Sequence, residues 1–196
     1  MTASRSARRS LCTLPLLLAL VASGCGKERQ PSPDVKTPGP VYGSENVRYP
    51  AAGLEFPQAP SGWSRSLAAA PAIVTIATGE ATIGIFRYPR TEALPKTKKD
   101  LDNAATALIA AAKARDPSFT ELKRARLKVD GQPAVQIRGT ETIAGKPRTV
   151  RTTHIYAFGG EIVVDAYAPE KDFRRVDTQA FRPLVASMKI TAPTSP

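Results

Sequence analysis

The sequence predicts an α+β fold: a single domain built on an antiparallel sheet of about six strands flanked by helices. Three observations lead there. Short stretches alternate apolar and polar residues and are punctuated by Gly and Pro turns. Two other stretches, one in mid-chain and one near the end, carry apolar residues at helical spacing. The order is runs of strands and then a helix, not strict alternation, which is the order of helices laid on an antiparallel sheet.

Residues 46–63, "NVRYPAAGLEFPQAPSGW", read as short strands broken by Pro and Gly and ending on the only tryptophan, Trp63. Residues 72–88, "AIVTIATGEATIGIFRY", read as a hairpin turning at Thr78-Gly79-Glu80, with Ile83 and Ile85 alternating on the return strand. A helix follows. Thr97 can cap it, and Asp100 stands three residues on, as in a capping box. Leu101, Ala105, Leu108, Ile109 and Ala112 form one apolar stripe. Lys113 and Arg115 suit the negative end of the helix dipole, and Pro117 stops the helix. The many alanines make the stripe thin, so this helix is expected to pack close to the sheet.

Four strands come next: Leu122 to Val129, Ala134 to Thr142, Arg148 to Phe158 and Ile162 to Ala168. The turns between them are expected at Asp130-Gly131, at 144–147 and at Gly159-Gly160. The chain closes on a helical "DTQAFRPLVASM", with Phe181, Leu184, Val185 and Met188 inward and Pro183 bending or restarting it. A short strand at Lys189-Ile190 follows, then a frayed tail over 191–196. The domain therefore spans 46–190.

Ahead of it, "LCTLPLLLALVASGCGKERQPSP" holds both cysteines and the longest apolar run. Arg5, Arg8 and Arg9 precede the run, which covers about a dozen residues, against roughly 20 for a spanning helix. A basic start, a short apolar middle and small residues before a cut make residues 1–24 a secretory signal. Ala22-Ser23-Gly24-Cys25 resembles the bacterial lipobox, in which the thiol takes a diacylglycerol and cleavage falls between Gly24 and Cys25. A plain signal with a chance cysteine, or an uncleaved anchor, would share the basic start and the apolar run. The small residues next to Cys25 favour lipidation. Each buried CH₂ adds about 0.8 kcal/mol, so two or more acyl chains hold a soluble domain on a bilayer. Residues 25–45 are then the lipidated cysteine and a disordered tether rich in Pro, Gly, Ser and charge.

Cys12 leaves with the leader and the lipid consumes Cys25. The folded part is expected to have no disulfide, no cysteine nucleophile and no thiolate metal ligand. The formal charge of +11 loses three arginines and no acids with the leader, leaving 25 basic and 17 acidic residues, near +8.

The order of elements, with three local patterns, resembles the PsbP-like family, which includes the photosystem II extrinsic protein, a Ran-binding nuclear import factor and bacterial lipoproteins of the LpqN type. The patterns are "GLEFPQAPSGW" at Gly53–Trp63, "VDGQPAVQIRG" at Val129–Gly139 and "FRPLVASMKI" at Phe181–Ile190. They resemble the family's opening strand and corner, its central hairpin, and its final helix and strand. The resemblance implies an α/β/α sandwich and a binding or assembly role without catalysis. No position matches a family ligand motif, so it carries no functional residue.

The residues themselves offer little chemistry. His154 is the only histidine, a zinc site needs three or four ligands, and no H-E-x-x-H, G-x-S-x-G or phosphate-cradling glycine loop occurs. Glu161 and Asp165 share a strand face at a spacing too long for a shared proton, and Asp165 becomes of interest if it is buried. Arg124, Arg126 and Lys128 alternate on one face of a strand, and Arg138, Arg148 and Arg151 are expected nearby. Such a face could meet anionic lipid headgroups or an anionic envelope polymer. Nucleic acid is not expected, because stacking aromatics are missing. No catalytic residue, metal or cofactor is expected.

The sequence thus points to a monomeric, non-enzymatic lipoprotein on the extracytoplasmic side of a bacterial membrane, binding or helping to assemble an envelope protein or polymer. The alternatives are a small-ligand pocket between helix and sheet and, behind that, a hydrolase centred on His154 or Asp165. Cys25→Ser is expected to abolish incorporation of labelled palmitate and to move the protein from the membrane to the soluble fraction. A variant that still labels and still sediments with membranes overturns the lipobox reading.

Overall fold

The computed structural model describes residues 46–60 and 62–194, so Gly24, Cys25, the signal and the tether lie outside the described residues. Ten strands form two antiparallel sheets. The larger has seven: β3 (Ser64–Leu67), β4 (Ala72–Thr78), β5 (Ala81–Pro89), β6 (Thr120–Val129), β7 (Gln132–Ile143), β8 (Lys146–Ala157) and β9 (Gly160–Ala168). Their spatial order is β3–β4–β5–β9–β8–β7–β6. The smaller sheet sets β2 (Leu54–Pro57) between β1 (Asn46–Tyr49) and β10 (Lys189–Ile190). The main sheet therefore exceeds the expected six strands. The opening segment divides between the two sheets, because Pro50 and Gly53 turn the chain through a 3₁₀ turn at Pro50–Ala52.

Three hairpins in succession build β6 to β9. Each turns on two residues with positive φ: Asp130-Gly131, Ala144-Gly145 and Phe158-Gly159. This is the type I′ pattern, whose twist matches that of paired strands. The first turn falls where expected. The last sits one residue earlier than Gly159-Gly160, and this shift decides which side chains meet across the sheet.

Helix α1 (Lys98–Arg115) has the expected capping box. The Asp100 amide donates to Thr97 Oγ1 at 3.2 Å, and the Thr97 amide donates to Asp100 Oδ2 at 2.9 Å. Leu101, Ala105 and Ile109 are buried against Val135, Ile137, Val150 and Phe119, with Leu108 and Ala112 half-buried. The closing helical segment is longer than expected. It runs as α2 (Glu170–Val176), a π-helical turn (Asp177–Phe181) and α3 (Arg182–Ser187). Pro183 lies in the first turn of α3. Proline within a helix strikes the carbonyl four residues back, here that of Gln179, and the wider π turn contains that residue.

Phe181, Leu184, Val185 and Met188 face inward as expected. With the small sheet they cover the other face of the main sheet, over Val74, Ile76, Ile83, Ile155 and Val164. Arg87 ties these layers together by donating to the carbonyls of Ala52, Ala157 and Phe158. Residues 191–194 are not frayed. The Thr191 amide donates to Gly53 O and the Thr194 amide to Pro50 O, and a Cβ at Gly53 would sit 2.2 Å from Thr191 O.

Where Gly139 stands on β7, the Phe119 ring fills the space of a side chain. A Cβ there would lie 2.7 Å from that ring and 2.7 Å from the Thr120 carbonyl, which is backbone and cannot swing away. Gly139→Ala is therefore expected to destabilise the domain by about 1–3 kcal/mol, read as a lower urea midpoint with an unchanged slope.

Candidate functional site: a cleft beside helix α1

Seven strands at about 4.8 Å spacing make a sheet roughly 30 Å wide, while a helix with its side chains covers about 10–12 Å. Helix α1 lies over β6 and β7. On that face Val150, Tyr156 and Tyr167 of β8 and β9 are buried in the α1 cluster, but the helix does not extend over β5, and a cleft of about 470 Å³ opens between the helix and the middle of β8, β9 and β5. Its apolar walls are Leu108 and Ala112 of α1, Phe119, and Ile137, Val150 and Val163 of the sheet. At the rim Arg115 pairs with Glu141 at 3.2 Å.

The floor is polar. Thr152 and His154 project from β8, and Glu161 stands on β9 diagonal to His154, which is directly opposite Val163. His154 Nδ1 lies 2.6 Å from Glu161 Oε1, and His154 Nε2 lies 3.1 Å from Thr152 Oγ1. A carboxylate only accepts, so Nδ1 carries the proton. Arg90 donates to the other carboxylate oxygen, Glu161 Oε2. The Glu161 side chain is 3% exposed and that of His154 12%. Burial alone would raise the Glu161 carboxyl. Hydrogen bonds from His154 and Arg90, with their charges, more than offset it and hold the group below its ordinary value. The same bond to Glu161 pushes the Arg90 guanidinium up. Tyr156, next along the face, is pushed up to about 12, mainly by burial and then by the Glu161 charge. Asp165 is half-buried in the same cleft, directly opposite Thr152.

A hydroxyl, an imidazole and a carboxylate in this order recur in nucleophilic hydrolases. Acyl transfer also needs donors aimed at a developing oxyanion. Here β8 is paired along its length with β7 on one side and β9 on the other, so the ladders take up its backbone amides. The nearby cations are also engaged, Arg90 by Glu161 and Glu92 and Arg115 by Glu141. The arrangement can hydrogen-bond and orient a bound group. Among the described residues no group of three or more His, Cys, Asp or Glu is placed to hold a metal ion.

The six basic residues singled out from the sequence do not share a face. Arg124 and Arg126 point toward α1, where Arg124 pairs with Glu121 and Arg126 with Asp102. Lys128 is exposed on the same strand. Arg148 pairs with Glu80 at the β4–β5 turn. Arg138 and Arg151 lie on the opposite face of the sheet, Arg138 over the Phe173 ring and Arg151 beside Asp177. The single basic face expected from sequence is thus corrected: the sheet itself separates its members, and most have acidic partners. The His154–Glu161 pair was missed because a turn at Gly159-Gly160 sets His154 opposite Asp165. The turn at Phe158-Gly159 sets it diagonal to Glu161, and this placement was the signal available.

An antiparallel sheet with α1 on one face and α2, the π turn and α3 on the other is the PsbP-like sandwich. Solved structures of this class match the chain. The cyanobacterial PsbP (CyanoP) from Synechocystis sp. PCC 6803 is 14% identical with a TM-score of 0.58, over 75% of this chain and 92% of that one. LpqN of Mycobacterium tuberculosis, a protein involved in cell envelope biogenesis, is 16% identical with a TM-score of 0.51, over 75% of this chain and 90% of that one. The chain therefore has the PsbP-like fold. No protein-family model matches the sequence, and no curated protein matches it.

Because the folded-state Glu161 carboxyl lies below its ordinary value of 4.5, its contribution to stability is complete above that value and is lost as the pH falls below it. Thermal unfolding between pH 7 and 3 is expected to show a steeper loss of stability for the natural chain than for Glu161→Gln in that acidic window. Parallel curves would show that Glu161 is not held ionised by its partners.

Proposed function

We propose that this chain is a non-enzymatic lipoprotein, anchored through a diacylglyceryl group on Cys25 to the extracytoplasmic side of a bacterial cell membrane, and that its domain binds another envelope component in the cleft beside α1. The cleft carries this reading. Its apolar walls and small polar floor suit an amphipathic occupant, with an aliphatic or aromatic part along Leu108, Ala112 and Val163 and a hydrogen-bonding group at Thr152 and His154. Support for the location comes from the leader pattern and from the fold shared with LpqN. Among the described residues no helix is long and apolar enough to cross a membrane. Support for a non-catalytic role comes from the strand beneath the Thr152–His154–Glu161 cluster, whose backbone amides are taken up by its two neighbours and so are not offered to an oxyanion. The occupant could be a segment of an envelope protein or a small ligand, and one experiment separates these.

A photo-crosslinking residue is placed in the full-length chain at Ala111, exposed at the cleft, or at Ala110, exposed on the side of α1 turned away from it. Irradiation of intact cells is expected to give adducts from position 111 and not from 110, and Ala112→Trp, which fills the cleft, should remove them. The adduct mass tells a protein from a small molecule. Equal labelling at both positions, or none at 111, overturns the proposal.

A further inference from the structure

On the face of the sheet turned away from α1, three neighbouring strands set three cations in one row. Lys123 of β6 stands directly opposite Arg138 of β7, and Arg138 directly opposite Arg151 of β8. Like charges directly opposed across strands destabilise a sheet. Arg182 of α3 closes over the row, and with Gln136 these side chains line a groove of about 550 Å³.

Among the described residues one acid is paired with these four cations, and it reaches only two of them. Asp177, buried in the π-helical turn, serves two of the cations. Its Oδ2 accepts from Arg182 Nε at 3.0 Å and pairs with Arg182 Nη2 at 2.7 Å. Its Oδ1 lies 3.0 Å from Arg151 Nε at an angle too poor for a hydrogen bond, so the attraction there is ionic. Gln136 Oε1 accepts from Arg151 Nη1 at 2.7 Å. Arg138 has no such partner. Its guanidinium lies 5.4 Å from the centre of the Phe173 ring, and its Nε is buried with no acceptor. Among the described residues no ion pair involves Arg138 or Lys123. A buried guanidinium N–H without an acceptor is costly, and a second cation beside it adds to the cost.

We propose that the Lys123–Arg138–Arg151 row is a binding site for a phosphate oxyanion, with Arg138 and Lys123 as its direct ligands. Arg151 and Arg182, held in place by Asp177, supply the surrounding positive field. A planar guanidinium matches a phosphate through paired N–H donors, and the groove's lining is mostly cationic, its one acid, Asp130, being engaged by Lys189 and the Ile190 amide, so positive field concentrates at its floor. The phosphate can be a free phosphoryl group or part of an anionic lipid headgroup. This site is separate from the cleft and does not depend on its occupant.

The test is thermal unfolding of the full-length lipidated chain in neutral detergent micelles. One arm adds inorganic phosphate against chloride at matched ionic strength. The other adds dihexanoyl phosphatidylglycerol against dihexanoyl phosphatidylcholine, whose choline masks the phosphate charge. The natural chain is expected to gain melting temperature with phosphate or with phosphatidylglycerol. A response to inorganic phosphate identifies a free phosphoryl group, and a response confined to phosphatidylglycerol identifies a headgroup. Arg138→Gln and Lys123→Gln should each weaken the effective probe by about tenfold or more, while Arg126→Gln, which faces α1, should not. In chloride alone Arg138→Gln gives up the contact with the Phe173 ring but relieves repulsion and removes no acceptor, so its melting temperature is expected to stay close to that of the natural chain. If that variant fails to fold, the exposed Lys123→Gln carries the test. No shift with either probe, or a shift in the Lys123 and Arg138 variants equal to that of the natural chain, overturns the site.

Discussion

One helix cannot cover seven strands, and most of what distinguishes this domain follows from that mismatch. The face carrying β2, β10, α2 and α3 has a continuous apolar core from Ala52 to Ile190 and opens at the groove over β6, β7 and β8. The other face has only α1, seated over β6 and β7. Its thin alanine stripe lets it sit close to those strands but leaves it too narrow to reach β5. The remaining strands must either expose apolar side chains or carry polar ones that satisfy each other. The chain does some of both, with Val163 and Phe86 beside Thr152, His154 and Glu161.

Charge inside the domain follows one rule with one exception. Glu161 is buried between His154 and Arg90, and Asp177 between Arg151 and Arg182. Arg87 spends its donors on three carbonyls and so needs no carboxylate. In each case the desolvated group meets partners that restore what water gave it. Arg138 breaks the rule, and it does so at the groove on the face carrying α2 and α3. The two faces thus differ in kind: on one, a shortage of cover leaves space, and on the other, a surplus of positive charge is left unbalanced.

The fold was legible to the extent that it depends on local chemistry. The Thr97–Asp100 capping box, the Asp130-Gly131 turn and the inward row Phe181, Leu184, Val185 and Met188 are all short-range patterns, and each stands where the residues place it. What escaped depends on long-range register. Moving a two-residue turn by one position changes every cross-strand partner, so His154 met Glu161 instead of Asp165. The basic residues were legible one strand at a time. Whether Arg124 and Arg138 share a face depends on the pairing of β6 with β7, which includes a shift between Glu121 and Lys123. The division of the opening strands into a second sheet likewise rests on β10, more than 130 residues away.

The small sheet also fixes how the domain would bear load. Its first strand, Asn46–Tyr49, is an edge strand paired only with β2. Any tension arriving from the N-terminal side enters there. The four residues of β1 would peel away before strain reached β2, which is clamped on its other side by β10, itself pinned by Asp130 through the Ile190 amide. If the chain is held from its N-terminal side as proposed, β1 would act as a mechanical fuse there, and the strands bearing the cleft and the cationic row sit behind it.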